Sequence, residues 1–199
     1  MQRLVRMTQL EKPFWQAQVR LAGVDEVGRG PLAGPVCAAC VVMPATPLIG
    51  RVNDSKKVSP KVREQVYQEI MDVALAVAYA FIDVETIERI NIRSATRLAM
   101  VRAIEQVQPE HVLIDAEDNL QINCPHQGII KGDASSYTIA AASIVAKVMR
   151  DRYMADMHEI YPVYGFNSNK GYGTAQHIQA LKEHGPCPEH RPSFIRNFV

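Results

Sequence analysis

Apolar and polar positions divide the chain into an early stretch of strand patterns and a later one in which helical periods are interleaved. Leu21, Ala22 and Val24 lead into a sharp polar loop, and a β-prone run over 35–43 follows, closed by Pro44 and Pro47. That predicts strand, loop, strand. Ser59-Pro60 has the form of an N-cap with proline at the first helical position, and Val62, Val66 and Ile70 then recur at four-residue spacing, predicting an amphipathic helix. Residues 74–82 predict a third strand, 84–91 a short helix, and 94–107 a longer one with Leu98, Val101, Ile104 and Val107 as its apolar positions. His111-Val112-Leu113-Ile114-Asp115 is a short buried-strand pattern ending in an acid, and 128–130 a further short strand. Lys131-Gly132-Asp133 leads into the longest predicted helix, 134–152. Its Ala140, Ala141, Ala142 and Ala146 permit close approach to a sheet, while Ser143, Lys147 and Asp151 form a polar stripe. Residues 165–173 read as loop, and Thr174 as the cap of a last helix ending near Glu183. Residues 1–17 lack periodicity and are expected to be a loosely held arm. The expected fold class is α/β, a mixed sheet flanked by helices, as one domain over 1–199.

Composition narrows the function classes. With 47% hydrophobic and 22% charged residues, a chain of 199 is an ordinary globular one able to build a sizeable core. A net charge of +1 announces no global field, so a nucleic-acid partner would need a local basic surface. No apolar run approaches the roughly 20 residues of a membrane span, and the first residues do not form a signal-like region. The expectation is a soluble, cytoplasmic protein. Cys37 and Cys40 lie three apart on a predicted strand, so they point to opposite faces and serve as small core residues. His184, Cys187 and His190 offer three zinc ligand types without a fourth nearby, and chance composition is the simpler account.

The candidate chemistry centres on Asp25-Glu26-Val27-Gly28-Arg29-Gly30. Two carboxylates stand beside an arginine whose fork suits a phosphate, and Gly28 and Gly30 allow positive φ or close approach of a ligand. Asp115 ends a hydrophobic strand, and Asp133 follows a glycine at a helix start, where the dipole favours an ionised acid. Carboxylates gathered at one point repel unless a cation joins them, and oxygen-only ligands select Mg²⁺ or Mn²⁺. Such a set suits two-metal hydrolysis of a phosphodiester. Asp25 and Glu26 are neighbours, however, and a regular strand points them apart. Either the strand bulges or ends there, or one acid reaches in from the side. A surface turn with a buried salt bridge is the alternative for this stretch.

The blocks Asp25-Glu26-Val27-Gly28-Arg29-Gly30-Pro31-Leu32-Ala33-Gly34-Pro35, Asn53-Asp54-Ser55-Lys56-Lys57, Leu113-Ile114-Asp115, Lys131-Gly132-Asp133 and Lys170-Gly171-Tyr172-Gly173-Thr174, with 140–148 between the last two, occur in the order seen in bacterial ribonuclease HII. The sequence resembles that family over nearly all of its length after residue 20. The resemblance implies an RNase H-like fold with a five-stranded mixed sheet, and an endonuclease that cuts RNA in RNA–DNA hybrids. It also implies nicking 5′ of ribonucleotides embedded in duplex DNA, leaving 3′-hydroxyl and 5′-phosphate ends. It assigns Asp25, Glu26, Asp115 and Asp133 to the metals, Mn²⁺ or Mg²⁺. It implies that Gly28-Arg29-Gly30 reads the 2′-hydroxyl, the feature that separates RNA from DNA. Tyr172 is expected to stack on a sugar, and Ser55, Lys56 and Lys57 to hold backbone phosphates, with Lys147 reaching the same groove. Two departures stand out. Ala116 occupies a position where the family pattern has glycine, and the chain stops soon after Phe194, which puts substrate affinity in question. Absence of an extra N-terminal domain argues against the type III enzymes. No obligatory protein partner is expected, and a monomer is. The competing classes are a non-catalytic hybrid-binding module and another RNase H-like nuclease such as a junction resolvase.

Overall fold

Strands β1 (Leu21–Val27), β2 (Val36–Val42), β3 (Ala76–Ile82), β4 (His111–Asp115) and β5 (His126–Ile129) form one sheet of order β3-β2-β1-β4-β5 in the computed structural model, which describes residues 2–52 and 59–199. The first three strands form an antiparallel meander, and β4 and β5 join β1 in parallel. The sheet is therefore mixed and five-stranded, as expected. Every residue of β2 is buried, and its small side chains let helices come close on both faces.

One face is covered by α5 (Ile92–Val107), which packs Ala95, Ala99, Met100, Ala103 and Ile104 against Ala22, Val24, Ala38, Cys40 and Val112. Of the expected apolar positions Ile104 and Val107 are buried, and Leu98 and Val101 differ. Both are only half-buried, because the closest approach is made by alanines and the larger residues splay to the margin. The other face carries α3 (Pro60–Val73) and α7 (Tyr137–Ile160), with Cys37, Ala39 and Val41 against Ala140, Ala141 and Ile144. Cys37 and Cys40 thus lie in different cores, and burial pushes the Cys37 thiol up to about 12.

Short helices complete the chain: α1 (Gln2–Met7), α2 (Lys12–Gln16), α4 (Val84–Ile90), α6 (Gly132–Ser135), α8 (Phe166–Asn169), α9 (Ala175–His184) and α10 (Pro192–Ile195). Two boundaries differ from expectation. The long helix begins at Tyr137, because Ser136 breaks away as an extended N-cap that accepts from Ile139 N, and Asp133 belongs to the separate four-residue α6. Residues 165–173 contain α8 within the expected loop.

The arm is a clear correction. Met7 is buried, and the Trp15 indole donates to Met43 O. Glu11 is fully buried, its Oε1 accepting from Ser136 Oγ at 2.6 Å and from Thr138 N and Oγ1 at 3.1 Å each. Far from being loosely held, this segment caps the start of α7. No helix among the described residues is long and apolar enough to cross a membrane.

Candidate active site

Strand register brings the first acids together. β1 and β4 pair in parallel through Val24 with Ile114, and the next residues on each strand are Asp25 and Asp115. Residues paired in register point to the same face, so these carboxylates sit side by side toward α7. Gly23 explains why α7 can lie so close: a β-carbon there would fall 2.2 Å from the Thr138 backbone. The helix thereby presents Ser143 to Asp25, with which it hydrogen-bonds.

Glu26 follows Asp25 on an unbroken strand that pairs with β2 up to Val27. No bulge resolves the geometric difficulty: the two acids do point to opposite faces. β4 ends at Asp115, so the end of β1 is uncovered on that side, and the longer Glu26 side chain feels Asp115 around the edge. Burial raises the proton affinity of Asp25 well above its ordinary value, and Glu26 and Asp115 raise it further against the bond from Ser143. Burial also raises Glu26, with Arg29 opposing and Asp115 adding. The Arg29 guanidinium lies 3.4 Å from Glu26 Oε1 and is 56% exposed, so the pair is loose and the arginine stays accessible from solvent.

Asp115 is fixed by the following turn. Its Oδ1 accepts from Gly132 N at 2.7 Å, where a glycine β-carbon would stand only 3.2 Å from that oxygen. Asp133, half-buried, is the next residue, in the first turn of α6. Arg97 braces the same turn with a two-pronged bond to Glu117 at 2.9 and 3.0 Å. Asp25, Glu26 and Asp115 lie close enough that the charge of Asp115 raises the proton affinity of the other two, and with Asp133 beside them they offer an oxygen donor set that fits a hard divalent cation. Among the described residues no three His, Cys, Asp or Glu side chains are already gathered as an ion-binding cluster.

The glycine loop and the Tyr172 loop lie against each other. Leu32 N and Ala33 N donate to Gly171 O at 2.8 and 3.3 Å. Gly28 has φ +95°, and a side chain there would strike Arg150, whereas Gly30 has open space around its missing β-carbon. Gly28 is thus required by the fold, while Gly30 leaves room for something from outside. Tyr172 is 43% exposed with the Arg150 guanidinium 5.9 Å from its ring centroid, so its face is reachable. Lys147 is half-buried and paired with Asp151, which Arg63 also approaches at 3.4 Å. A phosphate would have to compete with that carboxylate. Ser55, Lys56 and Lys57 lie outside the described residues.

Reading the chain alone did not show the part that four residues, His190 among them, play in holding this region. Arg150 is fully buried and donates to Pro35 O, Ala33 O and Lys170 O. Arg191 donates to the Gly28, Arg29 and Gly34 carbonyls. His177 and His190 meet at 3.0 Å. The only local signal was an arginine inside an alanine-rich helix and a His-Arg pair before a proline. The zinc alternative for His184, Cys187 and His190 does not form: His184 stands exposed at the end of α9, while Cys187 and His190 contact each other.

The five-stranded mixed sheet thus carries acids near the ends of its adjoining parallel strands, with a helix crossing behind them. A family model described as Ribonuclease HII matches residues 22–197. A Ribonuclease HII of Caldicellulosiruptor saccharolyticus is 49% identical over 90% of this chain and 88% of that protein. One of Lactobacillus gasseri is 50% identical over 92% and 74%. The crystal structure of ribonuclease H2 from Pyrococcus horikoshii superposes with a TM-score of 0.76 at 25% identity, covering 89% of this chain and 96% of that one. Bst-RNase HIII, solved in complex with Mn²⁺, superposes at 0.66 with 19% identity, over 84% and 63%. The chain belongs to the ribonuclease HII family. It is an endoribonuclease of the ribonuclease H class, acting on RNA–DNA hybrids.

Proposed function

We propose that the protein hydrolyses the RNA strand of hybrids and nicks 5′ of single ribonucleotides in duplex DNA, leaving 3′-hydroxyl and 5′-phosphate ends. The observation that carries this is the β1–β4 register, which ends at Val24 with Ile114 and so sets Asp25 near Asp115 beside Glu26, next to two loops suited to a sugar. Asp25, Glu26, Asp115 and Asp133 would hold the divalent ions, and the Mn²⁺ bound by the structurally similar ribonuclease HIII supports that choice over a soft metal. Bound there, Mg²⁺ or Mn²⁺ supplies an activated water and a counter-charge for the leaving oxygen. Arg29 takes a phosphate oxygen. The backbone around Gly30, free of a side chain, approaches the 2′-hydroxyl, and Tyr172 offers its face to the adjoining sugar. Ser55, Lys56, Lys57 and, more weakly, Lys147 hold backbone phosphates. The protein does this in the cytoplasm, as a monomeric single domain without an obligatory protein partner.

The test is a duplex carrying one embedded ribonucleotide, incubated with Mg²⁺, Mn²⁺ or chelator. Metal-dependent nicking at that position is expected, and Asp25→Asn should lose most turnover, about a hundredfold or more, with its melting temperature retained. A folded Asp25→Asn protein that cuts at near wild-type rate would remove Asp25 from the site. An all-DNA junction cut in preference would favour a resolvase.

A further inference from the structure

We propose that the consecutive residues His190 and Arg191, together with His177, are positioning residues for sugar recognition: they clamp the Gly28-Arg29-Gly30 loop and the Tyr172 loop at one separation. The inference rests on the reading above, in which those two loops contact the ribonucleotide.

Arg191 is fully buried, and its guanidinium is spent on one loop. Nε donates to Gly34 O at 2.9 Å, Nη2 to Gly34 O and Gly28 O at 2.6 Å each, and Nη1 to Arg29 O at 3.1 Å. Its own backbone N donates to Leu32 O at 2.8 Å. The adjacent His190 pairs with Ala33 as an isolated bridge and turns its ring the other way. Cys187 N donates to His190 Nδ1 at 3.0 Å, which leaves the neutral ring's proton on Nε2. His190 Nε2 faces His177 Nε2 at 3.0 Å, so His177 accepts there and carries its own proton on Nδ1. That Nδ1 lies 2.9 Å from Tyr172 O and donates to it. One proton arrangement satisfies the whole chain, from Cys187 through both rings to the Tyr172 carbonyl. Burial lowers the proton affinity of both histidines, His190 to about 4, which keeps the pair neutral.

Apolar residues of similar volume would fill this space at lower desolvation cost. What they would not supply is direction. A satisfied buried network admits a single geometry, and recognition of one ribonucleotide needs the sugar held by both loops at once. In an all-RNA strand every position offers a site, so imprecise positioning is averaged over many registers.

The experiment compares wild type, His177→Ala, His177→Asn and Arg191→Lys on two substrates, a duplex with one ribonucleotide and an all-RNA–DNA hybrid, reading kcat and KM separately and the melting temperature of each protein. His177→Ala and Arg191→Lys should lower kcat/KM on the single-ribonucleotide duplex about tenfold more than on the hybrid, chiefly in kcat. His177→Asn keeps a donor for Tyr172 O and should recover most of the loss. Arg191→Lys keeps the charge but cannot reach three carbonyls, so it tests the clamp even if His177→Ala fails to fold. Equal losses on both substrates, or none, in folded variants overturn the inference alone. A wild type that leaves the single-ribonucleotide duplex intact overturns the parent reading and the inference with it.

Discussion

Ala116 shows how one methyl group is placed against its backbone. It follows the third acid with φ +50°, in the left-handed region that disfavours every residue with a β-carbon. The turn is nonetheless held, by Ala116 N to Ile129 O at 3.0 Å and by the Arg97–Glu117 brace. The strain of a left-handed alanine, about 1–2 kcal/mol, exceeds the entropy cost of a more flexible unfolded chain, about 0.4–1 kcal/mol. Ala116→Gly should therefore stabilise the protein by up to about 1 kcal/mol, read as a higher midpoint in urea at unchanged slope. A lower midpoint would mean that the methyl makes compensating contacts. Gly28 is the converse: with φ +95° and Arg150 Nε 2.3 Å from the would-be β-carbon, no side chain is tolerated.

At the scale of elements, α7 is the support of the site, and its first turn is held from far away. Ser136 caps it locally, while Glu11 receives Ser136 Oγ, Thr138 N and Thr138 Oγ1 on a single oxygen. Burial raises the proton affinity of Glu11, those bonds oppose it, and its Oε2 has no hydrogen-bond partner among the described residues. A carboxylate kept in so costly a place is there for the helix start, which also seats Ile139 against Leu21 and Leu113 beneath the acids. Glu11→Ala should strand the Thr138 amide and two hydroxyls, lowering stability by about 1–3 kcal/mol in equilibrium unfolding. Because α7 carries Ser143 to Asp25, turnover should fall as well. An unchanged unfolding midpoint would show that the arm contributes nothing to the helix.

For the whole molecule, the buried histidines predict a pH dependence. Their folded-state proton affinity lies below the ordinary value near 6.5, so below that pH the unfolded chain binds more protons than the native one, for His190 down to about 4. Stability should thus be fully present above about pH 7 and fall as the pH drops below 6.5, by up to about 1.4 kcal/mol per pH unit for each histidine. Melting temperatures at pH 7.5, 6.5 and 5.5 check it: the wild type should lose more across this window than His177→Asn. Parallel curves would mean that the histidines titrate alike in the folded and unfolded states. One short C-terminal segment ties distant parts of the chain together, His190 reaching Tyr172 O through His177 and Arg191 reaching Gly28 O.

Local chemistry determined much of this protein by itself. Proline placement, the continuous β-prone run of β2, the helix starts after Ser59 and Thr174 and the apolar strand ending in Asp115 act over a few residues, and the corresponding elements are present. The acids could be named from the same local context, because a carboxylate at the end of a buried strand is conspicuous wherever the strand goes. Only the tertiary structure decided which of them meet: the parallel register of β1 with β4 sets Asp25 beside Asp115, and no pattern within either strand encodes that pairing. It also decided that Glu11 reaches Ser136 and that Arg191 reaches Gly28, partners separated by 125 and 163 residues. A buried polar residue looks in sequence like any exposed one, since its meaning lies in the carbonyls and amides that folding brings to it. For the same reason the buried face of α5 runs through Ala95, Ala99, Met100, Ala103 and Ile104 and leaves Leu98 and Val101 at its margin: the partner surface, and not the helix, selects which face can approach.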